Sequence, residues 1–155
     1  MRILIAAVGR AKGPATELFE EYRSRLDWTL TTREVVEHKK LPPKALMARE
    51  AALLLAALPA DSGGRLKVVA LDESGKSLDS AGFAALIGRW RDQGVGEIAF
   101  LIGGADGLGE AARSRADLVL SLGAMTWPHQ LVRALLAEQL YRARQILAGH
   151  PYHRA

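Results

Sequence analysis

The chain contains no cysteine, no long hydrophobic run and no recognisable export signal. Without cysteine there is no disulfide framework, no thiolate metal site and no cysteine nucleophile. The longest apolar stretch, residues 50–59, is well short of the ~18 residues that a membrane span requires. Arg10 and Lys12 follow the short N-terminal apolar run where a cleavage site would stand, so we interpret this run as a first strand. We therefore expect a cytoplasmic protein that does not span a membrane.

The length and the apolar content predict one domain. The chain has 155 residues, 49% of them hydrophobic, which is enough to build a single core. The only linker-like stretch, residues 61–65, is too short to separate domains, and no internal repeat is present. We therefore expect one domain over residues 1–155.

Strand and helix patterns alternate along the sequence. β-branched and apolar runs predict strands at residues 2–8, 29–37, 66–72, 97–102 and 117–122. Helical spacing predicts helices at residues 14–26, 42–58, 79–91, 110–115 and 128–148, with Asp79 as the N-cap of the third. Short connections and strands rich in Val, Ile and Leu indicate an α/β fold, a mostly parallel sheet with helices on both faces.

Glycine-marked loops follow the last two strands. In open α/β sheets ligands bind outside the carboxyl ends of the strands, so these loops predict a small-molecule pocket. The loop of residues 103–109 is not a dinucleotide fingerprint, and residues 74–77 lack the earlier glycine of a phosphate-binding loop, since position 70 is Ala70. Gly103 and Gly104 either form a tight turn with positive φ or let backbone amides approach a ligand.

The second loop, residues 122–127, is apolar although it joins a strand to a helix. It must pack against core or ligand, and an apolar slot with free backbone groups suits an adenine ring. His129 follows, either at the mouth of the pocket or as a capping or surface histidine.

The apolar residues of the last helix cover most of its circumference, not a single stripe, which indicates burial on several sides. A second copy of the chain is the expected cover, in a two-fold homodimer. The alternative is that other helices of the same chain cover it.

Basic residues concentrate near the C-terminus. The net charge is +4, which is compatible with an RNA partner. Glu138 is the one acid in a 22-residue segment that holds Arg133, Arg142, Arg144, His150, His153 and Arg154. Its spacing to Arg142 fits a helix salt bridge. Two histidines without a third ligand do not make a zinc site, so we expect no metal. Tyr152, His153 and Arg154 instead offer base stacking, proton transfer and phosphate pairing.

Taken in order, these features resemble the small bacterial methyltransferases of the SPOUT class (the α/β-knot fold) that methylate a pseudouridine of large-subunit ribosomal RNA. The resemblance spans the chain and is dense from residue 66 onward. It is carried by Leu71-Asp72, Leu101-Ile102-Gly103-Gly104 with Gly107-Leu108, Ser121-Leu122 with Ala124 and Thr126, Pro128-His129, Leu131-Val132-Arg133, Glu138 with Leu140-Tyr141-Arg142, and His150-Pro151-Tyr152-His153-Arg154.

The resemblance implies a C-terminal trefoil knot and methyl transfer from S-adenosyl-L-methionine to N3 of a pseudouridine, with the assembled ribosome as the expected substrate. The implied cofactor-binding residues are Leu71, Gly103, Gly104, Leu122, Gly123, Ala124, Met125, Thr126 and Trp127. The implied catalytic candidates are His129, Arg142, His153 and Arg154, and the substrate-binding candidates are Arg133, Tyr152, His153 and Arg154. Gly123 and Trp127 depart from the Ser and Leu of the family pattern.

The residues alone leave a second function open. No Ser/His/Asp set and no paired carboxylates demand an enzyme, so a non-catalytic α/β module that binds nucleotide or RNA fits the same sequence.

Overall fold

A computed structural model describes residues 1–61 and 63–154. Ser62 of the linker-like stretch and the last residue, Ala155, lie outside the described residues. Strands and helices alternate as β1 (Arg2–Val8), α1 (Pro14–Arg25), β2 (Thr29–Val35), α2 (Pro43–Ala56), β3 (Leu66–Ser77), α3 (Ser80–Asp92), β4 (Glu97–Ile102), α4 (Glu110–Arg115), β5 (Leu118–Ser121) and α5 (His129–Leu147).

The five strands form one parallel sheet in the order β2-β1-β4-β3-β5. The central strands are buried on both faces, which explains their continuous apolar sequence. In β1, Ile3 and Ile5 face the core that α1, α3 and α5 cover, while Leu4 and Ala6 face the core under α2 and α4. The predicted α/β class, with helices on both faces of a parallel sheet, is confirmed.

Strand β3 continues beyond its predicted end at Asp72. It runs to Ser77 and curls over β5, so that Leu120 pairs first with Leu71 and then with Lys76. Gly75 makes this possible, because a Cβ at that position would lie 2.7 Å from the carbonyl oxygen of Val119. The polar residues after Leu71 predict a loop, and only contact with a strand distant in sequence turns them into β-structure.

Helix α3 begins as predicted. The Asp79 carboxylate accepts a hydrogen bond of 2.7 Å from the amide of Gly82, which satisfies one of the free N–H groups of the first turn.

Helix α5 lies between α1 and α3 of the same chain. Its inward face consists of the buried residues Arg133, Ala134, Leu136, Ala137, Leu140 and Ala143. Helices of the same chain therefore account for this face, as the alternative interpretation of the sequence held. Several apolar side chains on its flanks, including Leu131 and Leu135, remain half-buried. The homodimer and the knot stay predictions. Among the described residues, no helix has the length and apolar character needed to cross a membrane.

Candidate functional site

A cavity of about 830 Å³ opens at the carboxyl ends of β3, β4 and β5. Eight of the nine predicted cofactor residues line it: Leu71, Gly103, Gly104, Leu122, Gly123, Met125, Thr126 and Trp127. Ala124 is exposed and lies outside the lining. The sheet order explains the grouping, because β4, β3 and β5 are neighbours and their ends meet at one edge. The predicted pocket is thus present at the predicted place.

The extension of β3 adds polar groups to the cavity wall. Asp72 accepts hydrogen bonds from the amide and hydroxyl of Ser74, at 2.9 and 2.6 Å, and from Arg113 at 3.1 Å. Burial alone would raise the pKa of Asp72, but these hydrogen bonds outweigh it and hold the pKa below its usual value. The Thr126 hydroxyl donates to Glu73 at 2.8 Å and so ties the β5–α5 loop to β3.

The two glycines after β4 are required by packing within the protein. A Cβ on Gly103 would lie 2.6 Å from the carbonyl oxygen of Gly107, and one on Gly104 would lie 2.8 Å from a Glu50 carboxylate oxygen and 3.1 Å from Val8. Gly103 and Gly104 do not adopt positive φ, so the tight turn with positive φ is not the reason for these glycines. Positive φ occurs instead at Gly107, at 92°. The missing side chains therefore face protein atoms, although both glycines still line the cavity.

Glu50 of α2 is a buried carboxylate beneath this turn. It has no hydrogen-bonding or ion-pair partner among residues 1–61 and 63–154. Burial raises its pKa, and the negative charge of Asp106 raises it further. No local sequence pattern indicates this residue, because its burial depends on α2 packing over the end of β4.

His129 is the first residue of α5 and lines the cavity. Its Nδ1 is buried without a hydrogen-bonding partner among the described residues. Burial lowers the pKa of the imidazole, and the charges of Arg133 and Lys12 lower it further. The ring is therefore neutral at neutral pH and able to accept a proton. The predicted position at the pocket mouth agrees with this placement.

Arg133 lies inside the protein, with only 3% of its surface exposed. Its Nη2 donates to the carbonyl oxygens of Val8 at 3.2 Å and Gly9 at 2.8 Å, and Nη1 lies 3.7 Å from Glu34. Burial lowers its pKa, although Glu34 opposes this. This arrangement does not favour the predicted contact with RNA, because a phosphate would have to replace the bonds that join α5 to β1.

The C-terminal tail packs on α5 rather than fraying. Arg142 forms a two-pronged ion pair with Glu138 and lies 3.2 Å from Nδ1 of His153. The Tyr152 hydroxyl donates to Glu138 at 3.1 Å, and the Arg142 guanidinium carbon lies 4.8 Å from the centre of the Tyr152 ring. Burial, with the Glu138 charge, raises the pKa of Tyr152 to about 12. Arg154 is exposed.

The predicted catalytic residues fall into two groups within one chain. His129 and Arg142 belong to the same helix, thirteen positions apart, which corresponds to roughly 20 Å at 1.5 Å per residue. The structure therefore brings Arg142, Tyr152 and His153 together at one end of α5, while His129 and the cavity lie at the other.

The family described as "Predicted SPOUT methyltransferase" matches residues 1–153. The chain belongs to the SPOUT methyltransferase family. It is 60% identical over its whole length to the full-length ribosomal RNA large subunit methyltransferase H of Rhodospirillum centenum. It is 59% identical to the protein of the same name from Paramagnetospirillum magneticum, over 99% of each chain.

The fold of this SPOUT methyltransferase is also similar to a solved structure. The SpoU methyltransferase AviRb from Streptomyces viridochromogenes, in complex with the cofactor AdoMet, superposes with a TM-score of 0.51 at 15% identity. The superposition covers 92% of this chain and 58% of the other. At that identity the likeness concerns the fold alone.

The sequence missed several groups in the cavity wall of this SPOUT methyltransferase. They are Met47 of α2, Glu73 and Ser74 of the β3 extension, Asp106 of the β4–α4 loop, and Arg113 of α4. Asp72 belongs to the residues that carry the resemblance, but the resemblance implies no cofactor-binding or catalytic role for it. The acidic character of Asp72-Glu73 was readable from the sequence, but its place in the wall depends on the fold of β3 over β5.

Proposed function

We propose that this SPOUT methyltransferase binds S-adenosyl-L-methionine in the cavity and methylates N3 of a pseudouridine in large-subunit ribosomal RNA. The observation that carries the proposal is the cavity at the ends of β3, β4 and β5, lined by eight of the nine residues implied to bind the cofactor. The relatives at 60% and 59% identity, named as large-subunit ribosomal RNA methyltransferases, support the choice of RNA.

The cavity fits this cofactor in size and in chemistry. Its volume of about 830 Å³ lies within the range of small-molecule sites, roughly 300–1,000 Å³. Apolar side chains such as Ile102 and Leu122 offer a surface to an adenine ring. Asp72, Glu73 and Asp106 outnumber the single cation, Arg113, so the wall is net negative and suits a ligand with a sulfonium and an ammonium group.

His129 is placed to handle the proton that N3 loses. S-adenosyl-L-methionine, when bound, supplies a methyl group that is already activated for transfer. The protein then has to align the uracil ring and accept the weakly acidic proton or stabilise the resulting anion. His129 lines the cavity and carries a buried, unpartnered Nδ1, so it is our candidate for the proton acceptor. The lowered pKa keeps the imidazole neutral and ready for that role.

The remaining candidates reach the cavity only from a second copy of the chain. Arg142, His153 and Arg154 lie at the far end of α5, roughly 20 Å from His129. In a two-fold dimer that pairs α5 with its symmetry mate antiparallel, the tail of one copy approaches the cavity of the other. The half-buried apolar flanks of α5 supply a surface for that pairing. We therefore propose a homodimer with a shared active site.

In this arrangement the tail contacts the RNA substrate. Arg154 is exposed and would pair with a phosphate, and the half-buried Tyr152 would offer its aromatic ring to a base. Arg142 and Glu138 hold His153 and Tyr152 in place through the contacts described above. The proposed target is large-subunit RNA within the assembled ribosome, in the cytoplasm.

Calorimetric titration with S-adenosyl-L-methionine separates the proposal from its rival. We expect binding in the micromolar to sub-millimolar range, whereas a non-catalytic RNA-binding module would show none. Transfer of a labelled methyl group to assembled ribosomes is the second step of the test. Cofactor binding without transfer to any ribosomal RNA would leave the methyltransferase class standing and remove the proposed substrate.

A further inference from the structure

Three of the four C-terminal arginines, Arg133, Arg142 and Arg144, are already paired with carboxylates. The fourth, Arg154, is exposed. Arg133 lies near Glu34, Arg142 pairs with Glu138, and Arg144 binds Asp27 through bonds of 2.7 and 2.8 Å. A paired guanidinium has little charge left for a phosphate. The main cationic surface for RNA must therefore be sought elsewhere.

Five exposed cations follow the carboxyl ends of β1 and β2. They have no ion-pair partner in the part of the chain that the structure describes: Arg10, Lys12, Lys39, Lys40 and Lys44. The two acids of β2 and the loop that follows it, Glu34 and Glu37, already have other partners. Glu34 accepts from the amide of Ala11 at 2.7 Å, and Glu37 binds Arg49 at 2.8 Å. These two carboxylates therefore do not pair with the five cations.

The loop after β1 is fixed through its backbone, which leaves its side chains free. Gln130 accepts from the amide of Lys12 at 3.2 Å and donates to the carbonyl of Arg10 at 2.7 Å. The amide of Gly9 donates to the carbonyl of Val35 at 2.9 Å, so the loops after β1 and β2 leave the sheet side by side. Arg10, Lys12, Lys39 and Lys40 are thus exposed on two adjacent loops, and Lys44 is exposed in the first turn of α2.

These cations share an edge with the cavity. All five strands are parallel, and the order β2-β1-β4 puts β2 two strand spacings, about 10 Å, from β4. Lys12 is close enough to His129 for its charge to depress the imidazole pKa. We propose that Arg10, Lys12, Lys39, Lys40 and Lys44 form a phosphate-binding strip that holds the RNA backbone beside the cavity. This inference rests on the proposed function, since it assigns a path to the RNA substrate of that site.

The test is binding of purified ribosomes over a series of salt concentrations. One variant carries Arg10→Gln and Lys12→Gln, and a second carries Lys39→Gln and Lys40→Gln. The matched control carries Arg65→Gln and Arg89→Gln. It loses the same charge from exposed residues near the opposite edge, where β3 begins and α3 ends.

Each lost phosphate contact lowers the slope of log affinity against log salt by about 0.7–0.9. We therefore expect each strip variant to lose roughly 1.4–1.8 from the slope and about tenfold or more in affinity near physiological salt. The control should bind as wild type does. Cofactor affinity of all three variants should stay close to that of the wild-type protein.

Three results would overturn the strip. They are wild-type affinity and slope in both strip variants, an equal loss in the control, or a loss on intact ribosomes that is absent on protein-free ribosomal RNA. The last would mean that the cations contact an acidic ribosomal protein. Methyl transfer by the wild-type protein is measured on the same ribosomes. If transfer occurs while the strip variants bind normally, the strip fails and the proposed function stands. If binding depends on the strip but no methyl group is transferred, the strip stands and the proposed function fails.

Discussion

A mixture of two inactive variants is expected to regain methyl transfer if the active site is shared between copies. The first variant lacks residues 152–155, so it keeps the cavity but has no tail. The second carries Leu122→Trp, which places a bulky ring in the cavity wall and leaves the tail intact. Neither variant alone can assemble a complete site, because a dimer of the first has no tail and a dimer of the second has no intact cavity.

The size of the recovery follows from two-fold symmetry. When equal amounts exchange subunits at random, half of the dimers contain one copy of each variant. In such a dimer the cavity of the tail-less copy meets the intact tail of its partner, and the other site is doubly defective. About one quarter of all sites is then complete, so about one quarter of the wild-type rate should return.

Single-turnover methylation of assembled ribosomes measures this recovery. Cofactor titration on each variant verifies that the tail-less protein binds S-adenosyl-L-methionine and that the Leu122→Trp protein does not. Mixing each variant with itself is the control. No recovery in mixed dimers verified by mass would refute the shared site. A tail-less protein that methylates at the wild-type rate would refute a role of the tail, and the chemistry would then rest on His129 and Arg142.

Three further predictions concern the supporting structure. Gly104→Ala places a Cβ 2.8 Å from the Glu50 carboxylate and should lower the midpoint of thermal unfolding. Adding Glu50→Ala should restore the midpoint, and an unchanged midpoint in Gly104→Ala would contradict the prediction. Because the pKa of His129 is lowered in the folded state, its protonation favours the unfolded chain, so urea-measured stability should fall below about pH 6.5, and less so in His129→Gln. Asp79→Ala removes the hydrogen bond to Gly82 and should cost about 1 kcal/mol of unfolding free energy, which equal urea midpoints would disprove.

The fold was largely readable from the sequence because its strands and helices carry strong local patterns. The run of β1 is buried on both faces, and the predicted strands match the observed ones closely. The extension of β3 to Ser77 was missed, because its residues are polar and become a strand only by pairing with β5. Gly75 admits that pairing, but no local pattern distinguishes it from a turn glycine.

The sequence predicts the part of the candidate site that lies at the strand ends. It does not predict the part that depends on contacts between residues distant in sequence. The loops after β4 and β5 signalled a pocket through their glycines and their apolar residues. The charge distribution was misjudged, because Arg133 and Arg144 meet Glu34 and Asp27, which lie about a hundred positions away in the sequence. Five exposed cations without an ion-pair partner among the described residues lie after β1 and β2, where the sequence resemblance is weak.

Mapping of modified nucleotides in ribosomal RNA by mass spectrometry tests the central claim most directly. In cells from which the gene has been deleted, one pseudouridine of the large-subunit RNA should lack the N3-methyl group that it carries in the parent. The wild-type chain should restore the methyl group, whereas the chain without residues 152–155 should not. An identical modification pattern in parent and deletion cells would contradict the proposed function.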